Sequence, residues 1–280
     1  MTTVDITPEE LRDAPLGHDT GYPDAYQPAL LYTVPRAPQR AALGIFDTLP
    51  FTGADLWTAY DLTWLDARGK PQVAMASIEV PAHSPRIVES KSMKLYLGSF
   101  AQTRFGEPGE VSVALTHDLA DAIGAPVRVV LERPDRFARL APHELDGIDL
   151  DSQDVECTAY DVDVNLLATR DGSAAETLTT NLFRSMCPVT GQPDIASVQV
   201  AYEGPRIDRG ALLRYLVSYR GHAGFHEHCV ERIFVDVKTR CRARKLSVYA
   251  RFTRRGGLDI NPFRTDAGLP VPANVRTARQ

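Results

Sequence analysis

The chain of 280 residues holds only four cysteines, at positions 157, 187, 229 and 241, and no two of them form a Cys-x-x-Cys pair. That excludes a disulfide scaffold and leaves each thiol to be weighed singly, against the default of a small buried hydrophobe. No run approaches the roughly 20 apolar residues that cross a bilayer. The opening MTTVDITPEE has acids where a signal peptide carries basic and then apolar residues. A cytoplasmic protein with no membrane partner is expected. Positive charge is not in excess either: the net charge is −5, so no nucleic-acid partner is expected. With 44% hydrophobic and 24% charged residues, the composition is that of a globular protein large enough to bury a core.

What is present is a repeat. Residues 85–100, PRIVESKSMKLYLGSF, lie over 205–220, PRIDRGALLRYLVSYR, at an offset of 120. This register sets Met93 against Leu213 and Leu97 against Val217, with apolar residues at helical spacing in both copies. Strands are predicted before each copy, over 56–65 and 72–80 and over 178–186 and 195–202. A second helix follows each copy, on Val111, Leu115, Leu119 and Ile123 and on Val230, Ile233, Phe234 and Val237. Strands return at 127–131 and 246–252. The fold class is α+β, with antiparallel sheets carrying their helices on one face.

Four parts are expected: a proline-rich arm over 1–45, a first unit over 46–143, an acidic linker over 144–163 and a second unit over 164–280. The linker, with eight acids and no Lys or Arg, reads as a solvated segment with a strand beginning near its end.

Differences between the copies point to chemistry. At the offset of 120, Cys187 falls opposite Ala67 and Asp194 opposite Ala74. Both belong to a short loop stiffened by Pro188 and Pro193, with Gly191 available for a turn. Such a loop can hold a thiol and an acid at fixed separation. A hairpin with a buried cysteine and a capping aspartate stays open on spacing alone.

The cluster Gly221-His222-Ala223-Gly224-Phe225-His226-Glu227-His228-Cys229 is dense enough to suggest a metal. Its histidines, however, point to different sides of a helix, and a polar cluster near a pocket is the better reading. Val88-Glu89-Ser90-Lys91-Ser92 opens the first repeated helix as either an anion site or an ordinary cap. Arg254-Arg255-Gly256-Gly257 suits a phosphate or a basic turn.

Together these stretches resemble one family. Glu89 to Leu97 (ESKSMKLYL), Cys187 to Asp194 (CPVTGQPD), Phe225-His226-Glu227 and Arg254 to Pro262 (RRGGLDINP) are similar to motifs of the NADPH-dependent 7-cyano-7-deazaguanine reductases of queuosine biosynthesis. Pro15-Leu16-Gly17 and Phe100 to Phe105 add to the likeness, which runs nearly end to end. The proportions are those of the long form, with two tandem tunnelling-fold units in one chain.

The resemblance implies reduction of the nitrile of 7-cyano-7-deazaguanine (preQ0) to a primary amine with two NADPH. It assigns Cys187 as the nucleophile giving a thioimidate, and Asp194 as the proton donor to the nitrile nitrogen. Glu89 and Glu227 would bind the heterocycle, with Val88, Ser90 and His226 beside them. Ser90, Lys91, Arg255 and Gly256 would contact NADPH, and no metal is implied.

The residue types suit this chemistry, since a thiolate is a sensible attacker of a weakly electrophilic nitrile and a carboxylate pairs with adjacent N–H donors. Glu89 lies in the first half and Cys187 and Glu227 in the second, so a site where the units meet is expected, in a symmetric homodimer. Two rivals are a zinc-dependent cyclohydrolase-like enzyme using Cys187 or Cys229 with His222, His226 and His228, and a non-catalytic purine-binding module.

Overall fold

The computed structural model describes Gly21, Pro23 and residues 25–280. Most of the expected arm, Pro15-Leu16-Gly17 included, lies outside the described residues. The described part of the arm supplies Thr33–Pro35 (β1) and Ala37–Ala42 (α1).

The first unit begins with a hairpin, Thr52–Leu65 (β2) and Pro71–Pro81 (β3). In its turn, Asp66 Oδ1 accepts from the N–H groups of Arg68 at 2.9 Å and Lys70 at 3.0 Å. Arg86–Val88 (β4) pairs with β1, and Ser90–Gly98 (α2), Pro108–Ile123 (α3) and Arg128–Glu132 (β5) follow. Ile148–Asp149 (β6) leads to the second unit. That unit repeats the order: hairpin strands Thr169–Met186 (β7) and Pro193–Ile207 (β8), helices Arg209–Val217 (α4) and His226–Arg240 (α5), then Lys245–Phe252 (β9) and Leu258–Thr265 (β10).

Among the described residues the main sheet has eight strands in the order β5-β3-β2-β10-β9-β8-β7-β6, antiparallel except where β6 meets β7. The units therefore join edge to edge, β10 of one against β2 of the other, from Leu258↔Ala59 to Thr265↔Thr52.

The repeat is present, but its register in the helices is 119 rather than 120. Glu89 caps α2 and Asp208 caps α4, and both helices end on a serine, Ser99 and Ser218. Tyr96 and Tyr215 correspond, and their hydroxyls donate to Asp118 and Asp236 at 2.6 Å each. Ser99 and Ser218 each donate to the carbonyl of that tyrosine at 2.6 Å. Met93 thus answers to Leu212 rather than Leu213. The shared Pro-Arg-Ile triplets are not equivalent in the fold, since one runs into β4 and the other finishes β8. In the hairpins the loop counterpart of Cys187 is Asp66, and that of Asp194 is Gln72, since Leu65↔Pro71 matches Met186↔Pro193 and Trp64↔Gln72 matches Ser185↔Asp194. The thiol and the acid still belong to one hairpin only.

Alternation along the strands divides the two faces. Trp57, Trp64 and Ile78 pack with Met93, Tyr96, Val111 and Leu115, while Phe183, Val198 and Phe252 pack with Leu212, Val230, Ile233 and Phe234. All four main helices thus share a face, and each large apolar side chain so buried contributes about 1.5–3 kcal/mol. The other face carries Leu56, Tyr249 and Phe263 with Leu145 and Val271, covered by the C-terminal segment. There Asn274 Nδ2 donates to Trp57 O at 3.1 Å and to the Thr58 and Ser77 hydroxyls at 3.0 Å.

Two further details differ from expectation. The acidic stretch is largely exposed, as expected, but is tied to β7 at one point, where Leu150 is buried and Asp151 accepts from Thr180 Oγ1 and Asn181 N, and β7 starts only at Thr169. Strand β10, at the seam, has no counterpart among the expected strands. Pro262 argues against a central strand, yet it is accommodated because β9 pairs only with Phe263 to Thr265.

Candidate active site

A cavity of about 260 Å³ lies where the two units meet. Four pieces of chain form it: Val88, Ser90 and Lys94 around the start of α2, the loop between β7 and β8, Gly224 to Glu227 at the start of α5, and Thr253 to Ile260 at the turn into β10.

Local bonding fixes each piece. The Cys187 loop is closed on itself, Cys187 N donating to Gln192 O at 2.8 Å and Gly191 N to Cys187 O at 3.0 Å. Gly191 has φ +66, a left-handed conformation suited to glycine. The same loop is stitched to the segment entering α5: Met186 N donates to His222 O at 2.8 Å and Gly224 N to Met186 O at 3.1 Å. Cys187 is in this way carried to the helix start that bears His226 and Glu227.

Phe252 positions His226. Their rings stack with centroids 3.7 Å apart and planes 1° apart, and His226 Nε2 stands 3.4 Å from Asp194 Oδ1. Arg255 Nη2 lies 2.9 Å from the same oxygen, and Arg255 Nη1 donates to Gln192 Oε1 at 3.1 Å. Burial would raise the Asp194 carboxyl, but His226 and Arg255 outweigh it and hold the group below the usual carboxylate range. Glu227 goes the other way: burial, then the neighbouring Asp55, push it up to about 7 against the pull of Arg36 and His226.

Of the residues expected at the site, Cys187, Asp194, Val88, Ser90, His226, Glu227, Arg255 and Gly256 line the cavity. Glu89 and Lys91 do not. Glu89 is buried and caps α2, accepting from Lys91 N at 2.6 Å and Ser92 N at 2.8 Å. The capping alternative describes Glu89 in this structure, with its flanking residues turned to the cavity.

Lys94 and Phe252 were not singled out. In the structural register Lys94 stands opposite the buried Leu213, a charge where the repeat has an apolar residue. It lines the cavity, and a Cβ added at Gly256 would fall 3.1 Å from Lys94 Cε. Burial lowers the pKa of its ammonium despite nearby Glu89, Cys187 and Asp194.

The His-rich cluster is divided: His226 faces Asp194, whereas His222 and His228 are buried behind it, their rings 6.3 Å apart. Among the described residues no three His, Cys, Asp or Glu side chains are grouped to hold a metal ion, and no helix is long and apolar enough to cross a membrane.

Comparison with known proteins agrees on one family. A family model described as nitrile reductase, 7-cyano-7-deazaguanine-reductase N-term, matches residues 22–131, and one described as QueF-like protein matches residues 193–268. The NADPH-dependent 7-cyano-7-deazaguanine reductase of Burkholderia cenocepacia strain HI2424 is 55% identical, over 95% of this chain and 98% of its own. That of Bordetella parapertussis strain 12822 is 57% identical, over 96% and 99%. The chain belongs to this reductase family. The first match spans part of the arm and the first unit into β5, and the second begins at β8 within the second unit. The Cys187 loop lies between them, inside the span of the full-length reductases.

Proposed function

We propose that this chain is an NADPH-dependent 7-cyano-7-deazaguanine reductase, converting the nitrile of preQ0 to the aminomethyl group of preQ1 for queuosine synthesis. The carrying observation is that Cys187, Asp194 and Glu227 line one cavity in a chain of this family.

Asp194, held as a carboxylate, accepts the Cys187 thiol proton as the sulfur attacks the nitrile carbon, and returns it to the nitrogen, giving a thioimidate with no net change in protons. His226 and Arg255 orient that carboxylate. Positioned proton transfer of this kind contributes typically about 10²–10⁴-fold.

Glu227, in the first turn of α5, accepts the base N–H donors as a carboxylate, helped by the helix N-terminus. Glu89, whose carboxylate caps α2 in this structure, would bind the base from the α2 side only by leaving that cap, with Val88 and Ser90 beside it at the cavity. NADPH, when bound, supplies the two hydrides. Arg255, Lys94 and the Ser90 hydroxyl offer cationic and hydrogen-bonding groups for it at the cavity, Gly256 leaves its backbone bare, and Lys91 adjoins them in sequence.

Both halves are read as tunnelling-fold units, with a residue 1–45 arm, units over 46–143 and 164–280 and the acidic segment between. What supports that reading is the shared order of hairpin, two helices and strand. The assembly is taken as a cytoplasmic homodimer. NADPH oxidation by purified protein, with and without the deazaguanine nitrile, tests the activity, and no nitrile-dependent oxidation would refute it.

A further inference from the structure

Gln192, set between the left-handed Gly191 and Pro193, uses both of its oxygens at the site. Its main-chain oxygen accepts from Cys187 N at 2.8 Å and closes the nucleophile's loop. Its side-chain Oε1 accepts from Arg255 Nη1 at 3.1 Å, while Arg255 Nη2 lies 2.9 Å from Asp194 Oδ1. Gln192 lines the cavity, yet the chemistry proposed above gives it no part.

The main chain around Arg255 is anchored. Arg255 N donates to Leu258 O at 2.8 Å, Tyr60 N donates to Gly257 O at 2.9 Å, and the Arg254 guanidinium lies 4.9 Å from the centre of the Tyr60 ring. The Arg255 side chain has less to hold it. It is 32% exposed, and among the described residues Asp194 and Gln192 are the partners of its guanidinium. One partly exposed ion pair holds a long arginine weakly, because ordering the side chain offsets much of what the pair gains. A second acceptor on the other Nη fixes the plane of the guanidinium and the direction of the first contact. Gln192 is itself well placed for this, since a residue before proline is confined to extended backbone and its carbonyl is already bonded to Cys187.

We propose that Gln192 is a positioning residue: its side-chain oxygen holds Arg255 on Asp194 and its main-chain oxygen holds Cys187 in the same loop, so that thiol and carboxylate keep one separation. Asp194 is faced by His226 of α5 and by Arg255, with Lys94 of α2, Cys187 and Glu227 lining the same cavity. Burial raises its carboxyl, and His226 and then Arg255 lower it. Loosening Arg255 therefore moves the carboxyl up while His226 stays in place. The inference rests on Asp194 serving the nitrile chemistry proposed above.

The test is a carbon-13 NMR titration of the Asp194 carboxyl, assigned with Asp194→Asn, in wild type, Gln192→Met, Arg255→Met and the double variant. Gln192 is exposed, and methionine keeps its length without the acceptor, so the fold is expected to persist. Gln192→Met should weaken Asp194 as an acid, with about a threefold smaller dissociation constant. Arg255→Met should weaken it at least as far, and the double variant no further, because Gln192 acts through Arg255. In turnover, Gln192→Met should lower kcat about fivefold and leave KM for the nitrile nearly unchanged.

An unmoved Asp194 in Gln192→Met overturns the inference. So does a further change in the double variant, which would mean that Gln192 shapes the loop without Arg255. The titration needs no turnover: the expected shifts in a protein without nitrile-dependent NADPH oxidation would sink the activity proposed above and leave the link from Gln192 to Asp194 standing.

Discussion

Arg255 and Asp194 meet at 2.9 Å, on the carboxylate oxygen that also lies 3.4 Å from His226 Nε2. On the proposed mechanism the pair would make Asp194 a base before it is an acid, because a carboxyl held below its usual range has no proton of its own to give at neutral pH. Asp194→Asn keeps the shape but cannot carry a proton between sulfur and nitrogen. Its kcat is expected to fall about 10²–10⁴-fold, with a much smaller change in KM. Steady-state NADPH oxidation measures both, and near-wild-type kcat would remove Asp194 from the proton path.

Cys187→Ala should abolish turnover while leaving the fold intact, since the side chain lies in a loop closed by backbone bonds rather than in a core cluster. Wild-type protein given the nitrile without NADPH should gain the mass of one substrate per chain, and Cys187→Ala should not. Intact-protein mass spectrometry reads both. An unshifted wild-type mass contradicts covalent capture.

How legible this was in the sequence depended on distance along the chain. Helices α3 and α5 and strand β9 followed from the period of their apolar residues, because burial of one face imposes that period locally. Cys187 and Asp194 stood out because one copy of a repeat has them and the other does not. What the sequence could not reveal depends on partners far away. The short pairing of β9 with β10 at Phe263 to Thr265 is what permits Pro262 in a central strand. The cluster joining Arg36, Arg40, Asp55, Glu231 and Arg264 collects residues up to 228 positions apart (36 to 264), and no local pattern marks any of them. The register slip at Pro205 had a similar cause, since the same triplet serves as a separate strand in one unit and as a strand end in the other.

Glu227 gives the stability a pH dependence with a definite sign. Its carboxyl lies near 7 in the folded protein against an ordinary 4.5, so the folded state holds a proton that the unfolded chain releases between these values. Its contribution is therefore full below 4.5 and is lost as pH rises to about 7. Glu231, held at about 2 against burial by Arg264, then Arg40 and Arg36, contributes above 4.5 and loses that contribution as pH falls toward 2. Thermal melts should show the first slope in wild type and not in Glu227→Gln. The proposed substrate reverses the balance by requiring the carboxylate, so binding near pH 6 should release a proton. Calorimetry in buffers of different ionisation enthalpy detects that release, and binding without it would mean that Glu227 stays protonated against the base.

The C-terminal glutamine ties the seam between the units from the face opposite the helices. Gln280 Oε1 accepts from Arg251 Nε at 2.8 Å, while Nε2 donates to Phe252 O and Asn261 Oδ1 at 2.8 Å and to Asp259 Oδ2 at 3.2 Å. These partners lie on β9 and β10, the strands that deliver Thr253, Arg255 and Leu258 to the cavity. Arg251 Nη2 is already buried without a hydrogen-bond partner, so Gln280→Ala would leave Nε stranded as well. Leaving buried polar groups unsatisfied costs about 1–3 kcal/mol, and denaturant unfolding should show a loss of that size. Hydrogen exchange should quicken in β9 and β10, which Gln280 bonds directly, before it does in β7, which the tail reaches through Arg279 Nη2 on Asn181 O instead. An unchanged midpoint with unchanged exchange would show that the tail rests on the sheet without holding it.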